Sequence, residues 1–337
     1  MNYEEFKNKV QKELKNYLGD EYKDTQIVVR ETMKVNRVIE QVMLSGIPGY
    51  QNASPSISLQ DLYESYEKTG DFKGEMEKLS NKINEAVKTI DSSPFKSGLD
   101  FNSLDKNIFF TLVNAEQNRE LLENVPHREF EDLAIIYRWN VGGTNEGLYT
   151  NIINNQFAEQ MGKSEPELYE LARENTRELF PPTVRNMNEV ICEIMFGSDG
   201  LDAEMEEEFK EVMTDMPDDK AMYVISNEAN IFGAASMLYE DKLDELSEKL
   251  DSSLYILPSS VHECIAISDK FGNPDDLAEM VYEINMDQVK LDERLSNQVY
   301  RYDKDAKTLR LATDTINKSI SDDFSEKAPI HDNGKAR

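Results

Sequence analysis

The sequence predicts an α+β protein with mixed, mainly antiparallel sheets and peripheral helices, and three observations carry that prediction. Apolar residues recur at three- and four-residue spacing through much of the first 90 residues. Short runs of β-branched and aromatic residues follow, several joined in pairs by Gly- or Asp-bearing turns, as antiparallel hairpins are. Hydrophobic residues make up 39% and aromatics 9% of the 337 residues, enough in periodic runs to exclude a disordered chain.

Taken in order, Phe6, Val10, Leu14 and Leu18 predict an amphipathic helix ending near Gly19. Residues 26–30 and 37–44 predict strands, with a turn at 45–49. Leu59, Leu62, Tyr63 and Tyr66 mark a helix that stops at Gly70; Phe72, Met76, Leu79, Ile83, Val87 and Ile90 form the stripe of a second. The Ser, Pro and Gly of 91–100 suggest a linker. A strand is expected at 108–113, a helix at 115–123 capped by Asn114, and a hairpin of 133–141 with 148–153 turning on 142–145. Ser164 and Glu167 fit a capping box for a helix stopped by Pro181-Pro182.

Residues 199–219 hold ten acids and one Lys, which predicts an exposed helix or flexible insertion. Strands are then expected at 222–227, 232–238, 254–257 and 261–267, with helices at 241–250 and from the N-cap Asn273. A last hairpin, 298–302 with 308–311, precedes a loose polar tail. The strand-strand-helix order of 133–179 returns at 222–250, a shared packing solution without sequence identity. This divides the chain into an N-terminal α+β region (1–98), a central region (99–198), an acidic insertion or linker (199–220), a C-terminal α+β region (221–315) and a tail (316–337).

The formal net charge of −29 disfavours direct binding of nucleic acid and of anionic membrane surfaces, because both depend on basic residues meeting phosphates. No run reaches the ~18 apolar residues needed to span a bilayer, and the N-terminus lacks a signal-peptide core, so a cytoplasmic location is expected. Two cysteines, Cys192 and Cys264, with no CxxC, fit a reducing compartment. The glycine-rich nucleotide signatures and the GxSxG hydrolase signature are missing. With 66 acidic residues, paired carboxylates carry no information.

Three stretches remain as candidates. PSSVHEC, 258–264, concentrates hydroxyls, imidazole, carboxylate and thiol at a strand junction. In a regular strand His262 and Cys264 share one face, ~7 Å apart at about 3.3 Å per residue, and Glu263 the other, so a cysteine nucleophile there needs another histidine as base. NEANIFG, 227–233, links two strands and is not a phosphate loop, since no helix start follows. In PHREFEDL, 126–133, a helical turn places His127 and Glu131 on one face, and a His127, His262, Cys264 metal site requires the fold to join residues 127 and 262. The candidate binding residues are therefore Ser259, Ser260, His262, Glu263, Asn227 and His127, with no metal or cofactor expected.

SPSISLQDLYESYEKTG (54–70), NVPHREFEDLAIIYRWNV (124–141), LYELARENTRELFPP (168–182), MYVISNEANIFGAASMLYEDKLDELSEKL (222–250) and LYILPSSVHECI (254–265) together resemble bacterial domain-of-unknown-function family 5688, common in anaerobic Firmicutes. The resemblance runs from about 25 to 312, and its most specific pieces are PSSVHE and MYVISN. It implies a coherent fold and a bacterial cytoplasmic origin, and it transfers no catalytic residue. The expected function is a non-catalytic binding or adaptor protein whose partner is a protein with a basic surface. The alternatives are a Cys/His-dependent or metal-dependent hydrolase and, through 199–219, an acidic nucleic-acid mimic.

Overall fold

A computed structural model describes residues 1–47, 55–92, 104–144, 147–196, 221–315 and 319–320. The acidic stretch 199–219, residues 93–100 of the expected linker and most of the tail lie outside the described residues. The chain forms two compact units. One gathers Met1–Phe109, Glu123–Pro126 and Tyr137–Asn175, and the other Phe110–Leu122, His127–Ile136 and Thr176–Arg337. Residues 99–198 thus contribute to both units.

Among the described residues the elements begin with α1 (Tyr3–Glu13), β1 (Gln26–Lys34), β2 (Arg37–Ser45), β3 (Ser56–Ser58), α2 (Leu59–Thr69) and α3 (Phe72–Ser92). The middle of the chain forms β4 (Ile108–Asn114), α4 (Arg119–Leu122), β5 (His127–Phe130), β6 (Leu133–Thr144), β7 (Gly147–Ile152), α5 (Asn155–Met161) and α6 (Glu165–Leu179). The last part forms β8 (Pro182–Asn186), α7 (Met187–Phe196), β9 (Tyr223–Asn227), α8 (Glu240–Leu250), β10 (Leu254–Leu257), β11 (Cys264–Ser268), α9 (Pro274–Gln288), β12 (Tyr300–Asp303) and β13 (Thr308–Leu311). The expected α+β class is what forms, and the sheets are antiparallel: β1-β2-β3, a four-stranded sheet of β4, β5, β6 and β7, and a six-stranded sheet ordered β13-β12-β10-β11-β9-β8.

In the first unit, the apolar stripes meet over the β1–β2 hairpin. Asn2 closes a reciprocal capping box with Glu5 and starts α1, whose Phe6 and Val10 are fully buried. Ser58 caps α2 by accepting from Asp61 N, and Gly70 ends it at φ 66°, a left-handed cap that costs glycine nothing. Leu59 from α2 and Met76, Leu79 and Ile83 from α3 complete one core with Val42 and Leu44 of β2. Phe6 lies within 6 Å of the rings of Tyr63, Tyr66 and Phe72.

In the second unit the six-stranded sheet holds the core. Tyr223, Ile225, Cys264, Ala266, Ile256 and Tyr300 are all buried along it, and Leu277, Ala278 and Val281 of α9 pack on Leu257, Ile267 and Val299.

Several elements differ from the sequence expectation. Residues 232–238 form no strand; Gly233–Leu238 is a 3-10 helix, because Gly233, Ala234, Ala235 and Ser236 lack the bulk to fill a strand face and fold closely against the sheet end. The strand-strand-helix echo at 222–250 disappears with it. β11 starts at Cys264, not Val261. Only Arg119–Leu122 of the expected 115–123 is helical, after a turn in which Asn114 Oδ1 accepts from Gln117 N at 3.0 Å. His127–Phe130 is a strand paired with β6, so His127 and Glu131 share no helical face. α5, β8 and α7 were not foreseen. Of the tail, Ile320 is fully buried.

Candidate functional site

β9 and β11 lie side by side and antiparallel, with Cys264 opposite Ile225. The segment leading into β11 therefore passes the point where β9 ends, and Ser226 meets His262 there. Ser226 Oγ donates to His262 O at 2.8 Å, a side-chain bond where the backbone ladder stops. Ser260 Oγ accepts from His262 N at 3.0 Å and turns the chain into the strand. Ala234 N donates to Val261 O at 3.2 Å, which ties the 3-10 helix to the same segment.

The loop 228–232 is held from both ends. Asn227, itself buried, brackets it: Nδ2 donates to Ile231 O at 2.8 Å, and Oδ1 accepts from Ile231 N at 3.3 Å. His262 Nδ1 accepts from Phe232 N at 3.3 Å, which places the imidazole proton on Nε2, and the two rings stack at 6.0 Å. Asn230 and Phe232 both sit in the left-handed region, at φ 53° and 54°. A bulky residue adopts that conformation only where its surroundings impose it. Gly233 follows because nothing larger fits: an added Cβ would meet Ser226 Oγ at 2.2 Å and His262 O at 2.5 Å. Glu228, Ala229 and Asn230 are consequently presented to solvent in a fixed shape, and Glu263 is exposed beside the pinned imidazole.

Four of the six expected residues thus act as the scaffold or rim of this loop: Asn227, Ser260, His262 and Glu263. Ser259 is half-buried, and its backbone carbonyl accepts from Leu295 N at 2.9 Å. His127 belongs instead to the four-stranded sheet, opposite Ile136. Among the described residues no three His, Cys, Asp or Glu side chains are placed to hold a metal, so His127, His262 and Cys264 form no such site. The Cys264 thiol is fully buried, directed at Ala234 O and Met237 Sδ, both at 3.7 Å, and burial drives its pKa far upward. That is a packing thiol and a poor nucleophile.

A second polar cluster adjoins the loop and includes none of the residues expected from the sequence except through the 258–261 segment. Residues 258–261 pair with 293–296 through Val261 N to Glu293 O (2.8 Å) and Ser296 N to Pro258 O (2.9 Å). Ser296 Oγ donates to Asp132 Oδ2 at 2.6 Å and accepts from Gln298 N at 2.9 Å. Asp132 also accepts from Tyr300 Oη, while its backbone carbonyl accepts from Ala115 N. Burial raises the Asp132 carboxyl above the ordinary aspartate value, against hydrogen bonds from Ser296 and Tyr300 that pull it down, and burial beside Asp132 raises Tyr300 strongly. Arg294, Ser296, Asn297, Gln298 and Asn285 are all buried, and Asn285 Nδ2 donates to Ser296 O and Asn297 Oδ1. The signal was present: Ser296-Asn297-Gln298 is an uncharged polar run between Leu295 and Val299 in a chain that is 31% charged.

Fold and site define an α+β protein of two units, with a pinned, partly acidic loop and a buried polar lane in the second. A model described as a family of unknown function (DUF5688) matches residues 3–304, and the chain belongs to that family. No curated protein and no solved structure matches the chain.

Proposed function

We propose that this is a non-catalytic binding or adaptor protein whose recognition element is the loop 228–232 with Glu263, and whose partner is a protein with a basic surface. The observation that carries this is the pre-shaping of the loop: two left-handed residues, a bracketing Asn227 and an imidazole clamp hold exposed Glu228, Asn230 and Glu263 in place before any partner arrives. A loop already ordered pays little entropy on association. Exposed carboxylates in a chain of net charge −29 favour a cationic partner and speed its encounter. Two free, buried cysteines suit a reducing, cytoplasmic setting. The buried Cys264 thiol argues against the hydrolase alternative.

The test uses the full chain with Glu228→Lys and Glu263→Lys combined. The wild type is expected to retain basic proteins from a cytosolic extract at low salt and to release them at high salt. The reversed variant, with an unchanged melting curve, is expected to retain them at least tenfold more weakly. Equal retention by both chains would overturn the proposal. Stoichiometric zinc that is lost in His262→Ala, or rapid alkylation of native Cys264, would reinstate the hydrolase.

A further inference from the structure

The clamp on the loop 228–232 depends on a group that changes charge. His262 Nδ1 accepts from Phe232 N at 3.3 Å, which takes a lone pair, so the bond exists only with a neutral imidazole. Histidine is the side chain that ordinarily gains its charge between about pH 8 and pH 5. A proton on Nδ1 sets N–H against N–H, and the acceptor is lost. The remaining bonds of the residue do not titrate. Its carbonyl accepts from Ser226 Oγ at 2.8 Å, and its N–H donates to Ser260 Oγ at 3.0 Å. The backbone under the ring is therefore fixed at any pH, and protonation acts on the contact with Phe232.

We infer that His262 is a proton-operated latch, which holds residues 228–232 in their fixed shape while the ring is neutral and releases them when it becomes imidazolium. Two observations support it. Phe232 and Asn230 sit at φ 54° and 53°, conformations that relax once the restraint on them is gone. Asn227 grips Ile231 on both its N–H and its carbonyl, and the imidazole is the hold on the next residue. The chain beyond the loop cannot follow it. Gly233 is wedged against Ser226 Oγ and His262 O, and Ala234 N is bonded to Val261 O. Opening is thereby confined to 228–232. The charged and titratable groups on the surrounding segments are exposed Glu263, exposed Glu228, Glu293 and Arg294 on the segment paired with 260–261, and the buried Cys264 thiol. Residues 233–238 carry none. Arg294 is engaged with the carbonyls of Val289, Met286 and Ile320. The positive charge gained on release lies among the carboxylates offered to a cationic partner, so capture weakens as the loop opens. That consequence rests on the loop proposal, whereas the latch itself does not.

The experiment is amide hydrogen exchange on the full chain at about pH 7.5 and about pH 5.5, either side of the ordinary histidine range. Each rate is divided by the intrinsic rate of an unfolded peptide at that pH, which leaves protection alone. In wild type the protection of residues 228–232 is expected to fall at least tenfold at the lower pH, with that of 223–227 and 264–268 unchanged. In His262→Asn the side-chain oxygen takes the place of Nδ1 and does not titrate, so protection is expected to persist at both pH values. His262→Phe keeps an aromatic ring to stack on Phe232 but has no acceptor, and is expected to lack protection at both. Three results overturn the inference: equal wild-type protection at the two pH values, a His262→Asn chain that loses protection as wild type does, or a fall shared equally by 223–227. Retention of basic proteins by the same samples tests the loop proposal separately. Protection that falls with no loss of retention supports the latch and removes the loop as the recognition element.

Discussion

The apolar core of the first unit and the polar lane of the second are equally buried, but they are held together by different chemistry. Phe6, Leu59, Met76 and Leu79 gain by leaving water, a force without direction that accepts any shape filling the space. Asn285, Arg294, Asn297 and Gln298 gain only if each donor meets an acceptor at the right angle. A core of the first kind tolerates a change of side chain with similar volume. One of the second kind does not, because a residue of the same shape leaves its former partners buried and unmet. The contrast suggests that the first unit supplies tolerance and the lane supplies specificity.

The largest expected effect tests the apolar side. Phe6→Ala should destabilise the first unit by about 3–5 kcal/mol, whereas Leu79→Met should cost less than about 1.5 kcal/mol. Trp139, the single tryptophan, lies in the first unit and stacks on Phe157, so its fluorescence in a denaturant titration follows that unit. The matching break of the lane is Arg294→Met, which keeps the length and loses the donors. It leaves the carbonyls of Val289, Met286 and Ile320 without this cation and should cost about 2–4 kcal/mol by calorimetry. A loss from Arg294→Met no greater than that from Leu79→Met would erase the contrast.

The same difference governs what the sequence revealed. Helices α1, α2 and α3 were legible because burying one face forces a 3.6-residue period on the apolar residues, and strands β1 and β2, though not their pairing, because they are rich in β-branched residues. Asn273 and Pro274 announced α9 for an equally local reason, an N-cap accepting from Asp275 N. Hydrogen-bond partners far apart in the chain leave no such period. Asp132 and Ser296 are 164 residues apart, and nothing local to either predicts the other. Residues 258–263 and 227 stood out by composition. Their roles did not, because His262 acts through one backbone amide and Ser226 through one carbonyl, contacts set by where β9 happens to end. Phe232–Leu238 has the apolar content of a strand, but its small residues permit close approach and a 3-10 helix forms instead.

Gly233 lies between the two extremes, since its neighbours are polar but its constraint is purely steric. Gly233→Ala must displace Ser226 Oγ or the backbone at His262 and Asn227, and should cost about 1–3 kcal/mol. The loop should loosen with it. Faster proteolysis after Glu228 than in wild type is the accompanying readout, and an unchanged rate with unchanged stability would show that the packing there is slack.

Asp132→Asn is the smallest and the most discriminating change. The carboxyl is raised in the folded chain, so the folded state binds more protons than the unfolded state between the ordinary aspartate value and the raised one. Stability from this residue is therefore complete at lower pH and declines as pH rises through that interval. Asp241, Asp244 and Asp303 behave oppositely. Hydrogen bonds from Arg177, from Lys307 and from Ala306 N, respectively, hold them below their ordinary value, so their contribution is lost as pH falls. The difference between wild type and Asp132→Asn isolates the one residue from the others. At neutral pH the variant should differ by less than about 1 kcal/mol, because relief of a buried charge offsets weaker bonds to Ser296 and Tyr300. Relative to wild type it should gain stability steadily as pH rises across the interval. A difference that stays flat with pH would mean that Asp132 carries its charge at no cost, and that the lane tolerates ions as freely as the surface does.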